Sequence, residues 1–304
     1  MKKKSISLLL VLFLSITLIT CQHIDRFAQA AAAEDLMDYD TANMISLSAR
    51  AFSSASENIS LEEEYFIGRA VAANILNTYK IWNGNPELTA YLNKICGALV
   101  LNSPQPKNFK GYYVAILDSM EINAFATSGG HIFVTRGLIA VTNTEDSLAS
   151  VIAHEVAHCQ LRHGINSIKT NRLTQAVLFT ATTGIGNAIG MDVNELSDIL
   201  NESVGEIFQT MVNQGYSKEQ EYEADIAAMY FLAVAGYQPS ALIDMLKELD
   251  KTQTSRSGFS RTHPLPRQRI YFAERALNRF NVTNTTPDRQ DRFNKALRIS
   301  TAAQ

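Results

Sequence analysis

The feature that most constrains this chain is a histidine–glutamate–histidine motif inside an apolar segment. Residues 151–163 read VIAHEVAHCQLRH, in which His154 and His158 are four residues apart. Because an α-helix turns about 100° per residue, both imidazoles project from one face and can hold one Zn²⁺ ion. Glu155 then lies where it can take a proton from a metal-bound water. The alternative is a core helix whose histidines only form hydrogen bonds, but the HExxH spacing favours the metal site.

A helix further along the chain supplies candidates for a third metal ligand. A catalytic zinc site usually has three protein ligands and one position open to water. Glu221 and Asp225 lie four residues apart after a capping box at residues 217–220, so they share a helix face. One carboxylate can bind the metal while the other accepts a hydrogen bond from a ligand histidine. Two surface acids near a helix cap are the alternative. Glu223 points away from this pair, and we expect it to be solvated.

Three short β-prone segments precede the HExxH motif. The runs at residues 112–117, 122–126 and 131–135, with a turn at Gly129–Gly130, predict a small sheet. An unpaired strand edge beside a metal can add a peptide in the β conformation. Asn123 could clamp one peptide unit of that substrate because its amide both donates and accepts hydrogen bonds. The alternative is that Asn123 is only a turn residue.

Taken in order, INAFATSGGHIFVTRGLI, HEVAH and EYEAD resemble motifs of the gluzincin peptidases of the HtpX and CAAX-prenyl-protease family. The resemblance covers about residues 60–275 and is strongest to an exported lipoprotein branch related to the β-barrel assembly-enhancing protease. It implies one Zn²⁺ per chain, held by His154, His158 and Glu221. It also implies that Glu155 is the catalytic base and that Asp225 supports a ligand. The substrate would lie on a sheet edge that includes Asn123, Ala124, Phe125, Ile132 and Phe133.

Apolar periodicity elsewhere in the chain is mostly helical. We therefore expect an α+β fold, a mainly helical zincin-type metallopeptidase domain with a small sheet whose edge strand flanks the active site. The predicted organisation is a signal peptide (1–20), a tether (21–58), the zinc metallopeptidase domain (59–280) and a polar C-terminal tail (281–304).

The N-terminus has the features of an export signal. Three lysines precede an apolar run at residues 6–20, which is too short to span a membrane comfortably. Cys21 follows, as in bacterial lipoprotein signals whose cysteine is lipidated, although Thr20 replaces the usual small residue. Cleavage after Ala28-Gln29-Ala30 would instead release a soluble exported protein, and an uncleaved anchor is a third possibility. Each alternative predicts a cell-envelope location facing the periplasm.

The net charge and the cysteine content limit which binding partners and cross-links the chain is expected to have. A formal net charge of −3 gives no reason to expect a nucleic-acid partner. Cys96 and Cys159 could form a disulfide in an oxidising compartment, which the sequence does not decide.

The resemblance implies an endopeptidase that cleaves unfolded or misassembled envelope proteins. Its partners would be extended polypeptides, a membrane through the lipid anchor and the envelope assembly machinery. The alternative is a metal-stabilised chaperone with little proteolysis, which would not need Glu155.

One further histidine lies in a suggestive context. His263 precedes two prolines, at positions 264 and 266, and follows a polar segment. As a neutral imidazole it could occupy the fourth zinc position and keep the enzyme latent. As a hydrogen-bond donor it could instead stabilise an oxyanion. A helix-capping or surface histidine is the remaining alternative.

Overall fold

A computed structural model describes residues 59–166, 204–205, 207–252, 258–263, 266–280 and 287–301. These residues belong to the unit Ile59–Gln304. The predicted signal peptide, the tether and Cys21 lie outside the described residues. Among the helices that are described, none has the length and apolarity required to cross a bilayer.

Helices make up most of the described chain. In order, they are α1 (Leu61–Thr78), α2 (Pro86–Leu101), α3 (Arg136–Val141), α4 (Glu145–Gln160), α5 (His163–Asn166), α6 (Lys218–Val234), α7 (Ser240–Thr252), α8 (Phe259–Thr262), α9 (Pro266–Leu277) and α10 (Pro287–Thr301), with a π-helix at Gln209–Gln214. The strands are β1 (Tyr113–Leu117), β2 (Ala124–Thr127) and β3 (His131–Thr135). The mainly helical α+β fold predicted from the sequence is confirmed.

Local sequence signals set the ends of the two helices that carry the motifs. Thr144 caps α4 by accepting a hydrogen bond from the main-chain N–H of Ser147. In α6 the predicted capping box forms, with Ser217 and Gln220 each bonded to the other's main-chain N–H. Every residue of α4 is buried, because α2, α6, α7 and β2 pack around it. The HExxH motif therefore lies on the central helix of the domain.

The sheet has the order β1–β3–β2, with β1 parallel and β2 antiparallel to β3. Within the described residues β2 is therefore an edge strand, and it packs against α4. β3 is the central strand, so its main chain is paired on both sides. The expectation that Ile132 and Phe133 belong to the substrate-binding edge is wrong in this respect, because both lie on β3.

The segment expected to be a polar C-terminal tail contains α10, which packs against α2 and α4. Two arginines of α10 bind acids at the first turn of α4. Arg289 lies 3.1 Å from Asp146, and Arg292 lies 2.7 Å from Glu145. Acids are favourable at a helix N-terminus, and here they also hold a second helix against the domain.

Candidate active site

Four buried side chains from three parts of the chain converge into one donor cluster: His154 and His158 of α4, Glu221 of α6, and His263, which follows α8. The Nε2 atoms of His154 and His158 are 3.0 Å apart. His263 Nδ1 lies 3.3 Å from His154 Nε2 and 3.0 Å from Glu221 Oε1. Glu221 Oε1 is 3.5 Å from His158 Nε2.

The geometry of this cluster fits zinc. Ligand atoms bound at 2.0–2.1 Å in a tetrahedron lie about 3.4 Å from one another. The four separations given above, 3.0–3.5 Å, bracket that value, and all the donor atoms lie within 4.8 Å of one another. Imidazole nitrogen with carboxylate oxygen is also a donor set that zinc accepts. The structure thus brings together the three predicted ligands and adds His263 as a fourth donor.

Glu155 is buried beside the cluster without being part of it. Its Oε1 atom lies 3.6 Å from His263 Nε2 and has no hydrogen-bond partner within the described part of the chain. Burial raises the pKa of Glu155, so the carboxylate is a better proton acceptor than one in water. This position and basicity suit the predicted role of general base.

Asp225 and Arg269, here called the inner arm, support His154. Asp225 Oδ1 is 3.0 Å from His154 Nδ1, as predicted for a carboxylate that orients a ligand. Arg269 of α9 binds Asp225 through two hydrogen bonds of 2.6 and 2.8 Å and reaches Glu221 Oε2 at 2.9 Å. Burial raises the pKa of Asp225, but the Arg269 guanidinium outweighs that effect and holds it below its ordinary value.

Arg269 was not identified from the sequence. It is almost completely buried, on the same face of α9 as the buried residues Ala273 and Ala276. The spacing of Arg269 from two small residues, four and seven positions later, indicates that it lies on the buried face of the helix. A buried guanidinium in turn requires acidic partners. Nothing in the spacing identifies those partners, since α6 and α9 meet only in the folded chain.

His163 and Glu223, here called the outer arm, support His158. His163 Nδ1 lies 2.9 Å from His158 Nδ1, and His163 Nε2 lies 3.2 Å from Glu223 Oε2. The expectation that Glu223 is only solvated is therefore wrong, although 34% of its side chain remains exposed. The helix phase correctly separates Glu223 from Glu221 and Asp225, but α5 lies on the side toward which Glu223 points.

The environment of each ligand histidine differs. Burial holds the pKa of His158 well below its ordinary value, so the imidazole is neutral, as a metal ligand must be. Tyr216 stacks on its ring with centroids 4.1 Å apart. For His154, burial and Arg269 lower the pKa, but Asp225 and Glu221 outweigh them and raise it to about 9.

The segment that carries His263 is bound to the start of β2. Phe259 N donates to Ile122 O at 2.8 Å, and Thr262 Oγ1 donates to Asn123 Oδ1 at 3.0 Å. The same Asn123 oxygen accepts from Ala124 N, so the predicted acceptor for a substrate peptide is already used. The Asn123 Nδ2 donor is buried and has no partner among the described residues.

The other predicted residues of the sheet edge are buried in different ways. Phe125 points into the core, where its ring lies 5.4 Å from that of Tyr79. Ala124 is fully buried on the same strand.

Cys96 and Cys159 are both buried free thiols rather than a disulfide. Burial raises the pKa of both, so neither is a reactive thiolate.

Comparison with known proteins gives a consistent result. The model of peptidase family M48 matches residues 85–277. The β-barrel assembly-enhancing protease of Escherichia coli K12 is 26% identical over 86% of this chain. The mitochondrial metalloendopeptidase OMA1 of Schizosaccharomyces pombe is 28% identical over 55%, and the metalloprotease LoiP of Escherichia coli K12 is 29% identical over 61%.

These matches cover different shares of the relatives. The aligned part spans 51% of the β-barrel assembly-enhancing protease, 47% of OMA1 and 69% of LoiP. The chain thus spans about half the length of the first two relatives. The residues matched by the family model, 85–277, include the four residues of the donor cluster.

Proposed function

This chain belongs to peptidase family M48, whose model matches well over half of it, and we propose that it is a zinc-dependent endopeptidase of the cell envelope. The observation that carries the proposal is the buried donor cluster with Glu155 beside it. A chain that used the metal only for stability would not need a buried carboxylate next to the cluster, because burying one without a full set of partners is costly.

In the proposed reaction, three residues bind the metal and a fourth transfers the proton. His154, His158 and Glu221 would hold zinc, the metal that this family uses. Zinc supplies Lewis acidity, which polarises the scissile carbonyl and acidifies a water molecule. With the metal bound, Glu155 would accept a proton from the attacking water and donate it to the leaving amine, a role that its position and raised pKa suit.

The main chain of β2 supports an extended polypeptide as substrate. The hydrogen bond from Thr135 N to Asn123 O, together with the antiparallel register, leaves Ala124 and Ala126 directing their main-chain groups away from β3. Because Ala124 N is bonded to Asn123 Oδ1, the groups that would pair with a peptide are the carbonyl of Ala124 and the N–H and carbonyl of Ala126. A strand edge of this kind recognises peptide backbone more than side chains. Unfolded or misassembled envelope proteins expose such backbone, and a relative is named for enhancing β-barrel assembly.

The decisive experiment compares the protein with its Glu155→Gln variant on an unfolded substrate such as reduced casein. The variant should bind zinc normally but lose about 10²–10⁴-fold in turnover, because only the proton acceptor is removed. Glu219→Gln, an exposed residue of α6, is the matched control. Chelation should abolish wild-type cleavage. Substrate binding without cleavage by the zinc-loaded wild type would support the chaperone alternative instead.

The position of His263 supports a latent state within this function. Its Nδ1 atom lies with the three predicted ligands, where it could take the coordination position that water needs. An oxyanion donor would have to point toward the substrate carbonyl rather than share the donor cluster. We therefore favour His263 as a reversible block of the metal site.

Anchoring at the membrane is a separate part of the proposal. If Cys21 is lipidated, Cys21→Ser should move the protein from the membrane fraction to the soluble periplasmic fraction. Stable attachment requires two or more acyl chains, since one gives only marginal binding. Fractionation of cells that express each form, with mass spectrometry of the mature N-terminus, tests this. A mature N-terminus at Ala31 would establish ordinary secretion instead.

A further inference from the structure

We propose that His163 and Glu223 act together as a positioning relay that fixes the metal-binding tautomer of His158. The proposal rests on the proposed function only in taking His158 as a zinc ligand. The Nε2 atom of His158 faces the donor cluster, 3.0 Å from His154 Nε2. Its other ring nitrogen, Nδ1, therefore faces away from the cluster, and it lies 2.9 Å from His163 Nδ1.

One arrangement of protons satisfies both contacts while leaving His158 able to bind metal. A ligand imidazole uses Nε2 for the metal, so its proton is on Nδ1 and must be donated. His163 Nδ1 can accept that proton only if the proton of His163 is on Nε2. Glu223, 3.2 Å from His163 Nε2, accepts a hydrogen bond from that tautomer, since an ionised carboxylate is an acceptor only.

The backbone places His163 by reversing direction after α4. Arg162 has a φ of +55°, the left-handed conformation that often ends a helix but is unfavourable for a residue with a Cβ. Its guanidinium is held in the interior, with Nε 3.0 Å from Glu64 Oε2 and Nη2 bonded to Ile59 O. The turn brings His163 back alongside His158, five residues earlier in the chain. The turn that positions the relay is thus tied to the interior by a buried ion pair.

Helix α6 supplies the other end of the relay. Glu221 enters the donor cluster, whereas Glu223 points toward His163 on α5. The same helix therefore contributes one ligand and orients another. Since the metal affinity of a ligand histidine depends on what its second nitrogen bonds, loss of such a partner typically costs about 10–100-fold in affinity.

The test measures the affinity of each metal-free variant for zinc by competition with a chromogenic chelator. His163→Leu removes the acceptor for His158, so zinc affinity should fall about 10–100-fold. His163→Asn keeps an acceptor near the position of the imidazole Nδ1, because the asparagine side-chain oxygen lies at a similar place. Its affinity should return to within a few-fold of wild type.

A double-mutant cycle distinguishes a relay from a merely structural contact. Glu223→Ala should weaken zinc binding several-fold in the wild-type background, with water replacing part of the contact at this half-exposed position. It should have no effect in the His163→Asn background, because asparagine has no tautomer to fix. Glu219→Ala, exposed on the same helix, is the control and should leave affinity unchanged in both backgrounds.

The proposal is overturned by several clear outcomes. These are a folded His163→Leu protein with wild-type zinc affinity, a His163→Asn protein as weak as His163→Leu, or an equal effect of Glu223→Ala in both backgrounds. If His163→Leu does not fold, the cycle with Glu223→Ala and His163→Asn still decides the matter. Because zinc affinity is measured without hydrolysis, failure of the relay is distinguishable from failure of the proposed peptidase activity.

Discussion

The two metal-binding histidines of α4 are supported in different ways. On the inner arm, His154 contacts Asp225, which is bound by Arg269, and all three side chains are almost completely buried. On the outer arm, His158 contacts the imidazole of His163, which in turn contacts the partly exposed carboxylate of Glu223. One helix turn therefore separates a ligand held by buried charges from a ligand held by a chain of hydrogen bonds that reaches solvent.

The difference shows where charge must be balanced inside the protein. Glu221 and Asp225 are both buried, and Arg269 contacts both. Burial raises the pKa of Glu221, but His263 and Arg269 outweigh it and hold the pKa well below its ordinary value. Buried charges of this kind are costly to leave without a partner. The inner arm should therefore affect folding as well as metal binding, whereas the outer arm should affect mainly metal binding.

The largest effect should come from Arg269→Leu in the metal-free protein. Removing one partner of a buried charge network typically destabilises a fold by about 3–5 kcal/mol, because the remaining carboxylates are uncompensated. Zinc should restore part of this loss, since a cation then lies beside Glu221. Urea unfolding with and without zinc measures both. Arg267→Leu, an exposed residue on the same helix paired with Asp250, should change little. Equal stability of the Arg269→Leu and wild-type proteins without zinc would contradict this view of the inner arm.

A smaller effect is expected from Asp225→Asn. The shape of the side chain is kept, but the charge that orients His154 and pairs with Arg269 is lost. Zinc affinity should fall about 10–100-fold. Chelator competition measures it, beside Glu219→Gln as a control on the same helix. An affinity loss no larger than that of Glu223→Ala would remove the distinction between the two arms.

The smallest effect should come from His263→Ala, which changes a residue that belongs to neither arm. If His263 blocks the metal position, basal hydrolysis of an unfolded substrate should rise several-fold while zinc affinity falls slightly. If it stabilises an oxyanion instead, kcat should fall. Steady-state kinetics with the zinc-loaded proteins decides between them. Unchanged kcat and KM would exclude both functional roles.

Much of the site could be predicted because its residues are related by helical spacing. The pairs His154–His158 and Glu221–Asp225 each lie four residues apart, and α-helical geometry alone places such residues on one face. The caps at Thr144 and Ser217 likewise act through neighbours three residues away. Glu223 shows where prediction from helical spacing stops. The spacing predicts the side of α6 to which its side chain points, but not that His163 lies on that side.

The sequence by itself determined the helix that carries HExxH, the face on which each ligand lies and the strands of the small sheet. Only the tertiary structure decided that Arg269 contacts both acids, that the turn at Arg162 brings His163 to His158, and that β3 is the central strand. It also decided that the segment ending at His263 binds Asn123. The physical reason is the distance along the chain between the residues that interact. Periodicity and capping are fixed by neighbouring residues, whereas burial of charge and strand order depend on which distant elements pack together.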